Sequence, residues 1–300
     1  MTEQSGPFQL QDDLPALERP RLLLCLRPWV DVGSVSTMAL TFLEEAWGSR
    51  RLAQLARPGA FYDFTRYRPT LHRREGQRIV TVPNTFLNHA RSPDGQDWLF
   101  LHALEPHSHG DDYAEAVLQL MKRLGVAEYA MVGAMYAPVP HTRPPVASGG
   151  ASDDAMCERL QRLGVRESSY EGPTTIMAVL PAVAAAAGIQ TMTVVLQLPA
   201  YAQLERDYRG LLAALELLSG IYGLSLKLDV VREQAERQIA LMNESAREDT
   251  RVQAWISELE ALYDSEAGAA SPEAPGPPLS PELERFLHDI ERRWSEGEGR

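Results

Sequence analysis

The sequence predicts an α/β protein built on a largely parallel sheet. Short, continuous apolar runs alternate along the chain with amphipathic stripes of helical spacing. Such runs are typical of strands buried on both faces, and the alternation is typical of strands joined by crossover helices. Polar motifs stand where several of the apolar runs end. Because the carboxyl ends of strands in an open sheet meet along one crevice, we expect these motifs to converge.

Four apolar runs and one alternating segment predict the strands. The runs lie at 21–26, 98–104, 129–135 and 191–198. A fifth segment, 71–82, alternates around Glu75 and Gly76, which predicts a hairpin. The proline-rich segment 138–145 predicts a loop, because proline interrupts helices and cannot donate a hydrogen bond within a central strand.

Capping residues and apolar stripes predict the helices. Serine or aspartate is favoured at a helix start, and glycine is favoured just after a helix end. On these signals the helices run from Ser34 or Ser36 to Trp47, from Asp111 or Asp112 to Leu124, onward from Pro173, and over 204–218.

The composition changes near residue 229 and again near residue 265. Residues 229–264 are dense in charge and lack strand signals, which predicts two helices. Alanine, proline, glycine and serine dominate 265–281, as in disordered linkers. An apolar stripe follows, and a short tethered helix of that kind needs a binding surface on this protein or on another. The predicted organisation is a flexible arm (1–19), an α/β core (20–228), a helical appendage (229–264), a disordered linker (265–281) and a short amphipathic helix (282–296).

The charge and the apolar content exclude several classes of function. A formal net charge of -12 opposes non-specific binding to nucleic acids and to anionic lipid surfaces. The first 14 residues are polar and do not resemble a signal peptide, and the longest apolar stretch, 176–189, is too short to span a bilayer. Cys25 and Cys157 are expected to be reduced thiols. We therefore expect a cytoplasmic protein without nucleic-acid or membrane partners.

Two of the strand-end motifs could bind an anion through a helix start. One is Asp-Val-Gly-Ser at 31–34, and the other is Tyr-Glu-Gly-Pro-Thr at 170–174. Glycine permits close approach to the exposed amides of a helix start, which favours anions. Simple helix capping by these residues is the competing interpretation. The lysine of a phosphate-binding loop and the glycine pattern of a dinucleotide-binding loop are both absent.

Two further motifs carry histidine beside other charged residues. Glu105, His107 and His109 look like metal ligands, but Pro106 breaks the strand, so we expect no metal. In the proline-rich loop, Arg143 follows His141 and suits a carboxylate or a phosphate. The alternative for Arg143 is an internal salt bridge, with Glu171 or Glu105 as the partner.

An aromatic run at 61–64 is followed by Thr65 and Arg68. Such a run is more typical of a subunit interface or a domain edge than of a ligand site. The chain has no Gly-x-Ser-x-Gly motif, and neither cysteine has a histidine nearby in sequence. Serine or cysteine hydrolase chemistry is therefore unsupported.

Together these motifs resemble the proteasome-assembly-chaperone-like family of prokaryotes, over residues 19–263. The residues that carry the resemblance are Trp29, Asp31, Gly33, 61–65, 68–70, 83–84, 105–107, 140–144 and 170–174. The resemblance implies a three-layer α/β/α, phosphorylase-like fold that forms closed homo-oligomers. It also implies kinship with chaperones that assemble proteasome rings.

The chain departs from the family pattern at several positions. Pro28 and Thr175 stand where members often have glycine, and Ala200 stands where a histidine usually precedes tyrosine. The sequence also ends in Glu-Gly-Arg. The archaeal relatives that bind proteasomes end in a hydrophobic-tyrosine-any tripeptide, so we do not expect that docking mode here.

We expect an assembly-chaperone-like or scaffolding homo-oligomer, whose C-terminal helix could recruit a partner protein. The alternative is an enzyme or small-molecule sensor, phosphorylase- or hydrolase-like, that binds an anionic ligand in the strand-end crevice. Whether the protein is an enzyme stays open at this point, and no cofactor or metal is expected. The candidate ligand-binding residues are Asp31, Gly33, Ser34, Arg68, Glu105, His107, His141, Arg143, Tyr170 and Glu171.

Overall fold

The structure is a computed structural model, and it describes residues 4–268. Residues up to Glu260 form one compact unit, and the chain from Ala261 onward belongs to a second. The strands are β1 (Gln4–Ser5), β2 (Phe8–Leu10), β3 (Arg21–Arg27), β4 (Arg50–Leu55), β5 (Thr70–Arg74), β6 (Gln77–Thr81), β7 (Phe86–Arg91), β8 (Asp97–Leu104), β9 (Glu128–Ala137), β10 (Val146–Ala151), β11 (Arg166–Glu167) and β12 (Gln190–Pro199). The helices are α1 (Val35–Trp47), α2 (Gly110–Arg123), α3 (Asp154–Arg162), α4 (Ile176–Ala186), α5 (Tyr208–Tyr222), α6 (Asp229–Arg247) and α7 (Thr250–Gly268).

The main sheet has ten strands in the order β1-β2-β4-β7-β8-β3-β9-β12-β10-β11. The predicted α/β class is confirmed, and the four central strands, β8, β3, β9 and β12, are parallel. The prediction of a largely parallel sheet is wrong for the rest, because five of the nine pairings are antiparallel. The physical reason is visible between β7 and β8, where the short loop 92–96 can join only antiparallel strands.

Each face of the sheet carries its own hydrophobic cluster. Along β3, Leu22, Leu24 and Leu26 point into one cluster, and Leu23 and Cys25 point into the other. This alternation is the strand period of two. Helices α2 and α4 pack into the first cluster, and α1, α5 and part of α6 pack into the second. The closer comparison with phosphorylase-like folds stays a prediction.

The predicted flexible arm contains two strands. In β2, Phe8 and Leu10 are fully buried on either side of Gln9, and the strand pairs with β4. The prediction of a flexible arm is therefore wrong for residues 4–10, whose alternating apolar residues extend the sheet. Strands β4, β7, β10 and β11 and helix α3 were not predicted.

The predicted hairpin is confirmed. The hairpin β5–β6 turns at Glu75 and Gly76, which both have positive φ, as a tight two-residue turn requires. Helices α6 and α7 occupy the segment where a helical appendage is predicted, although α7 continues into the predicted linker as far as Gly268. The remainder of the linker and the short helix 282–296 lie outside the described residues. Among the described helices, none combines the length and apolarity needed to cross a membrane.

Candidate functional site

Asp31 lies just beyond β3 and caps helix α1. Its Oδ1 accepts hydrogen bonds from the Ser36 amide (2.8 Å), the Ser36 hydroxyl (2.6 Å) and the Thr37 amide (3.1 Å). Its Oδ2 accepts one from Thr37 Oγ1 at 2.5 Å. The carboxylate therefore occupies the helix start where an external anion would otherwise bind. This geometry is that of helix capping.

Gly33 and Ser34, which directly precede α1, hold the segment before α5 against the start of α1. The Asp207 amide donates to the Gly33 carbonyl at 2.9 Å, and Ser34 Oγ donates to the Glu205 carbonyl at 2.9 Å. Gly33 has a φ of 62°, and a Cβ added there would lie 2.7 Å from Asp207 Cβ. Glycine is thus required for close packing of two segments, and Asp207 fills the space that an anion would need.

Glu105 follows β8 and reaches the start of α4. Its Oε1 accepts a hydrogen bond from the Ile176 amide at 3.1 Å. Its Oε2 is buried and has no hydrogen-bond partner among the described residues. Burial raises the pKa of this carboxyl, against the opposing effects of the Ile176 amide, the Thr175 hydroxyl and His107. A half-buried carboxyl with one free oxygen has the features of a functional group.

His107 lies beside Glu105, so these two candidates are brought together. The Asp63 amide donates to His107 Nδ1 at 3.1 Å, which places the proton of the neutral ring on Nε2. Tyr67 packs on the imidazole with ring centroids 4.4 Å apart, and its hydroxyl donates to the Glu105 carbonyl at 3.1 Å. The strand-end segment 105–107 is thus fixed to the segment 61–67.

The aromatic run of that segment is internal. Phe61 and Tyr62 are only 5% and 3% exposed. The Tyr62 hydroxyl lies 2.5 Å from Thr85 Oγ1, which also lies 2.8 Å from the Tyr113 hydroxyl. The interpretation of this run as a subunit interface is therefore wrong for Phe61 and Tyr62, because both pack in the core of their own chain. Arg68 is exposed, and its Nε donates to the Thr65 carbonyl at 3.3 Å.

His141 is tied to the loop after β12 and to α6. Its amide and its Nδ1 lie 2.7 Å and 2.6 Å from the Tyr201 hydroxyl, and its Nε2 lies 3.1 Å from Asn243 Oδ1. Burial lowers the pKa of His141. The ring is therefore mainly neutral at pH 7 and acts as a connector between elements.

Arg143 forms an internal ion pair. Its NH1 lies 3.2 Å from Glu260 Oε1 on α7, and the Thr142 hydroxyl donates to the same carboxylate. An internal salt bridge is one of the two predicted roles, but the carboxylate is Glu260 and not Glu171 or Glu105. The sequence offers no local signal for this pairing, because 117 positions separate the two residues.

The segment before α4 forms a turn and a helix cap. The Tyr170 hydroxyl donates to the Pro173 carbonyl at 2.8 Å, and a Cβ on Gly172 would lie 2.9 Å from that hydroxyl. Thr175 Oγ1 accepts from the Met177 amide at 3.2 Å and so caps α4. Glu171 is exposed to solvent.

A cavity of about 700 Å³ lies beside α4, along one face of β12 and β10 and next to the carboxyl ends of β3 and β9. Its lining is mainly apolar, and Glu167 is the one charged residue among the described lining residues. Of the ten candidate residues, Tyr170 alone is among those lining it. Asp31, Glu105 and Arg143 bond to helices instead of lining this cavity, so the predicted convergence of these residues in one crevice is not observed there.

A buried polar network was missed by the sequence analysis. Cys25 and His102 are directly opposite each other on β3 and β8, with Cys25 Sγ 3.6 Å from His102 Nδ1. His102 Nε2 lies 3.0 Å from Glu44 Oε1, which accepts a hydrogen bond from Asn88 at 2.7 Å. Burial alone would lower the pKa of His102, but Cys25 and Glu44 outweigh it and raise the pKa to about 9. Only the register of adjacent strands could have revealed this pair.

Metal binding finds no support in the described part of the chain. Residues 4–268 contain no group of three His, Cys, Asp or Glu side chains placed to hold an ion.

The comparisons with known proteins agree with the fold. The PAC2 family model matches residues 25–246. A PAC2 family protein from Streptomyces avermitilis is 26% identical, with a TM-score of 0.71, over 79% of this chain and 99% of that chain. A proteasome-assembly chaperone homologue from Mycobacterium tuberculosis is 24% identical, with a TM-score of 0.71, over 78% and 99%.

A more distant likeness is to PbaB of Pyrococcus furiosus, described as an archaeal proteasome activator. It is 14% identical, with a TM-score of 0.62, over 80% of this chain and 99% of that chain. No curated protein matches this chain. Because the family model covers well over half of the sequence, the chain belongs to the PAC2 family.

Proposed function

We propose that this protein is an assembly chaperone or scaffold that holds partner proteins at the apolar strand-end cavity. The observation that carries the proposal is the chemistry of that cavity. Trp29 and Tyr170, both in its lining, are 55% and 69% exposed. Large exposed aromatic side chains beside an apolar recess are typical of protein interaction sites, where they act as anchors.

The cavity suits a protein segment better than an anion. Among its described lining residues there is no lysine, arginine or histidine, so none of them would compensate the charge of a phosphate or carboxylate. Met135 and Met177 also line it, and methionine adapts its shape to varied apolar partners. An apolar side chain of a partner would gain free energy simply by leaving water.

The descriptions of two related proteins support a proteasome component as the partner. One relative is described as a proteasome-assembly chaperone homologue and another as a proteasome activator. We infer that proteasome subunits are the partners of this chain. A homo-oligomeric state and a cytoplasmic location belong to the same proposal, and light scattering of the purified protein should give a mass above that of one chain.

Binding of purified proteasome subunits to immobilised protein tests the proposal. Replacing both Trp29 and Tyr170 by alanine should weaken binding by about tenfold or more, as expected for loss of aromatic anchors. Leu241→Ala is the matched control, because Leu241 is a similarly exposed apolar side chain on α6. Equal binding by the double variant and the wild type would refute the proposal.

The alternative function, an enzyme or small-molecule sensor, rests on Glu105. Its raised pKa, its Oε2 without a described partner and its electrostatic interaction with His107 are features of a general acid or base. A ligand held there would raise the melting temperature by mass action, and Glu105→Gln would remove the effect. If a broad metabolite screen shifts the melting temperature of neither protein, this alternative fails.

A further inference from the structure

A second recess, the arginine groove, lies beside the ends of β4 and β6. It has a volume of about 1040 Å³, and three arginines, Arg27, Arg51 and Arg57, contribute to its lining. None of the described lining residues is acidic. The whole chain carries a formal net charge of -12, so a recess with three positive charges and no negative one stands out from the rest of the surface.

The charges of the three arginines are not neutralised by direct internal ion pairs. Within the described chain none of them forms a direct ion pair, although Glu44 interacts electrostatically with Arg51, and Arg27 Nε is buried without a hydrogen-bond partner. Arg51 is held in place, because its guanidinium lies 3.6 Å from the ring centroid of Phe86 and its Nε donates to Asn88. Fixed guanidinium groups bind carboxylates with little further loss of entropy.

The carboxyl end of β6 forms part of one wall of the groove. Within residues 4–268, strand β6 pairs with β5 alone, so no other described strand covers its second edge. Val80, Thr81 and Val82 all line the groove. Val80 and Thr81 are the last two residues of β6, and Val82 follows the strand, so the groove borders the carboxyl end of β6.

The hairpin itself has no core of its own. All ten residues of β5 and β6 are exposed, including Leu71 and Val80, which lie opposite each other. Neither strand contributes to the two hydrophobic clusters. An isolated two-stranded hairpin is only marginally stable in water, so a third strand on β6 would stabilise it.

We propose that the arginine groove binds an extended acidic segment of a partner protein, which adds as a strand along β6. The backbone of the segment pairs with the open edge, its alternate apolar side chains cover Val80 and Phe64, and its carboxylates meet Arg57 and Arg27. A segment of about five residues would match the length of β6, and the part beside Val80 and Thr81 would lie in the groove. The groove also lies at the upper limit of the volumes typical of small-molecule pockets, which favours a peptide.

A fluorescent peptide in which glutamate alternates with valine tests this inference by anisotropy. It should bind the full chain about tenfold more tightly than the same peptide with lysine in place of glutamate, because each carboxylate gains a charge-assisted contact. Arg57→Glu should weaken binding about tenfold, since it replaces an attraction by a repulsion. Arg74→Glu is the matched control: Arg74 is an exposed arginine on the same hairpin but outside the groove lining.

Two N-methylated versions of the peptide test the strand pairing. In a strand, alternate amides point toward the neighbour, so methylation of one alternate set should abolish binding and methylation of the other set should not. Unchanged binding of both versions would overturn strand addition. The acidic-segment inference would be overturned if the lysine peptide bound as tightly as the glutamate peptide, or if Arg74→Glu weakened binding as much as Arg57→Glu. It would also be overturned if citrate at the same concentration as the peptide displaced it completely.

This test is separate from that of the proposed chaperone function. The variant with alanine at Trp29 and Tyr170 should bind the acidic peptide as the wild type does, because those residues line a different cavity.

Discussion

Cys25 Sγ lies 3.6 Å from His102 Nδ1 in the interior of the sheet, although 77 positions separate the two residues in sequence. The pair belongs to a line of polar contacts beneath α1 that runs from the end of β3 to the rim of the arginine groove. Its members, in order, are Asp31, Thr37, Cys25, His102, Glu44, Asn88 and Arg51. This line connects α1 to four strands, so the face of the sheet under α1 depends on polar as well as apolar contacts.

The first prediction concerns the pH dependence that His102 gives to stability. Its pKa is raised to about 9 in the folded protein, against 6.5 for an unperturbed histidine. The contribution is therefore fully present below pH 6.5 and is lost as the pH rises through 9. The difference corresponds to about 3 kcal/mol of unfolding free energy. Urea titrations at several pH values should show that the unfolding free energy falls as the pH rises from 6.5 through 9.

The variant His102→Gln should be less stable than the wild type at pH 6, and its stability should change little between pH 6.5 and 9. His109→Gln is the control, because His109 is an exposed histidine. If His109→Gln alters the pH profile as much as His102→Gln does, the assignment to His102 is incorrect.

The second prediction concerns Asp97, whose side chain is 1% exposed. Burial would raise its pKa, but hydrogen bonds from Arg91, the Glu18 amide and His89 outweigh burial and lower it to about 2. The stabilisation is present above pH 3.8 and is lost as the pH falls through 2. Asp97→Asn should reduce the unfolding free energy at pH 7 by about 1–3 kcal/mol, as expected for a buried charge-assisted network.

Acid titration monitored by circular dichroism checks this assignment. The wild type should lose stability between pH 4 and pH 2 by more than Asp97→Asn does. Asp94→Asn is a nearby comparison, since Asp94 accepts a hydrogen bond from Ser92 and not from an arginine. Parallel acid profiles for the wild type and Asp97→Asn would contradict the prediction.

These predictions rest on tertiary contacts, and that marks the limit of what the sequence could show. The four central strands are predictable because each is a short apolar run, and the β5–β6 turn is predictable because Glu-Gly is a turn signal. Strand β10 is not predictable from the sequence, because its residues are Val-Ala-Ser-Gly-Gly-Ala. The glycine at position 149 is explained only by tertiary structure, because a Cβ there would lie 2.0 Å from the Thr193 carbonyl oxygen of β12.

The strand-end motifs show the same limit. Their positions could be predicted, since they follow strands, but the direction of each side chain depends on which helix start lies nearby. Asp31 binds the start of α1 and Glu105 that of α4, and these helices pack into different hydrophobic clusters. A polar residue at a strand end can therefore either cap a nearby helix or line a cavity, and the sequence alone does not distinguish these two roles.

The third prediction concerns Tyr201, whose hydroxyl contacts both the amide and the ring of His141. Tyr201→Phe leaves the His141 amide without its partner while keeping the aromatic packing on Trp255. The unfolding free energy should fall by about 1–3 kcal/mol, the usual cost of an unsatisfied buried group. Tyr263→Phe serves as the reference for removal of a tyrosine hydroxyl elsewhere. Equal stability of Tyr201→Phe and the wild type in urea would contradict the connector role.

The last prediction separates two reasons for glycine at position 33. Gly33 and Gly48 both have φ in the left-handed region, 62° and 70°, but only Gly33 is crowded. A Cβ at Gly33 would lie 2.7 Å from Asp207 Cβ, whereas nothing lies within 4 Å of one at Gly48. Gly48→Ala should therefore cost about 1 kcal/mol, the strain of the backbone conformation alone. Gly33→Ala should cost about 1–3 kcal/mol more, because the start of α5 must move away from the turn that precedes α1. Urea unfolding of both variants measures the difference, and equal losses would show that close packing at position 33 contributes nothing beyond backbone strain.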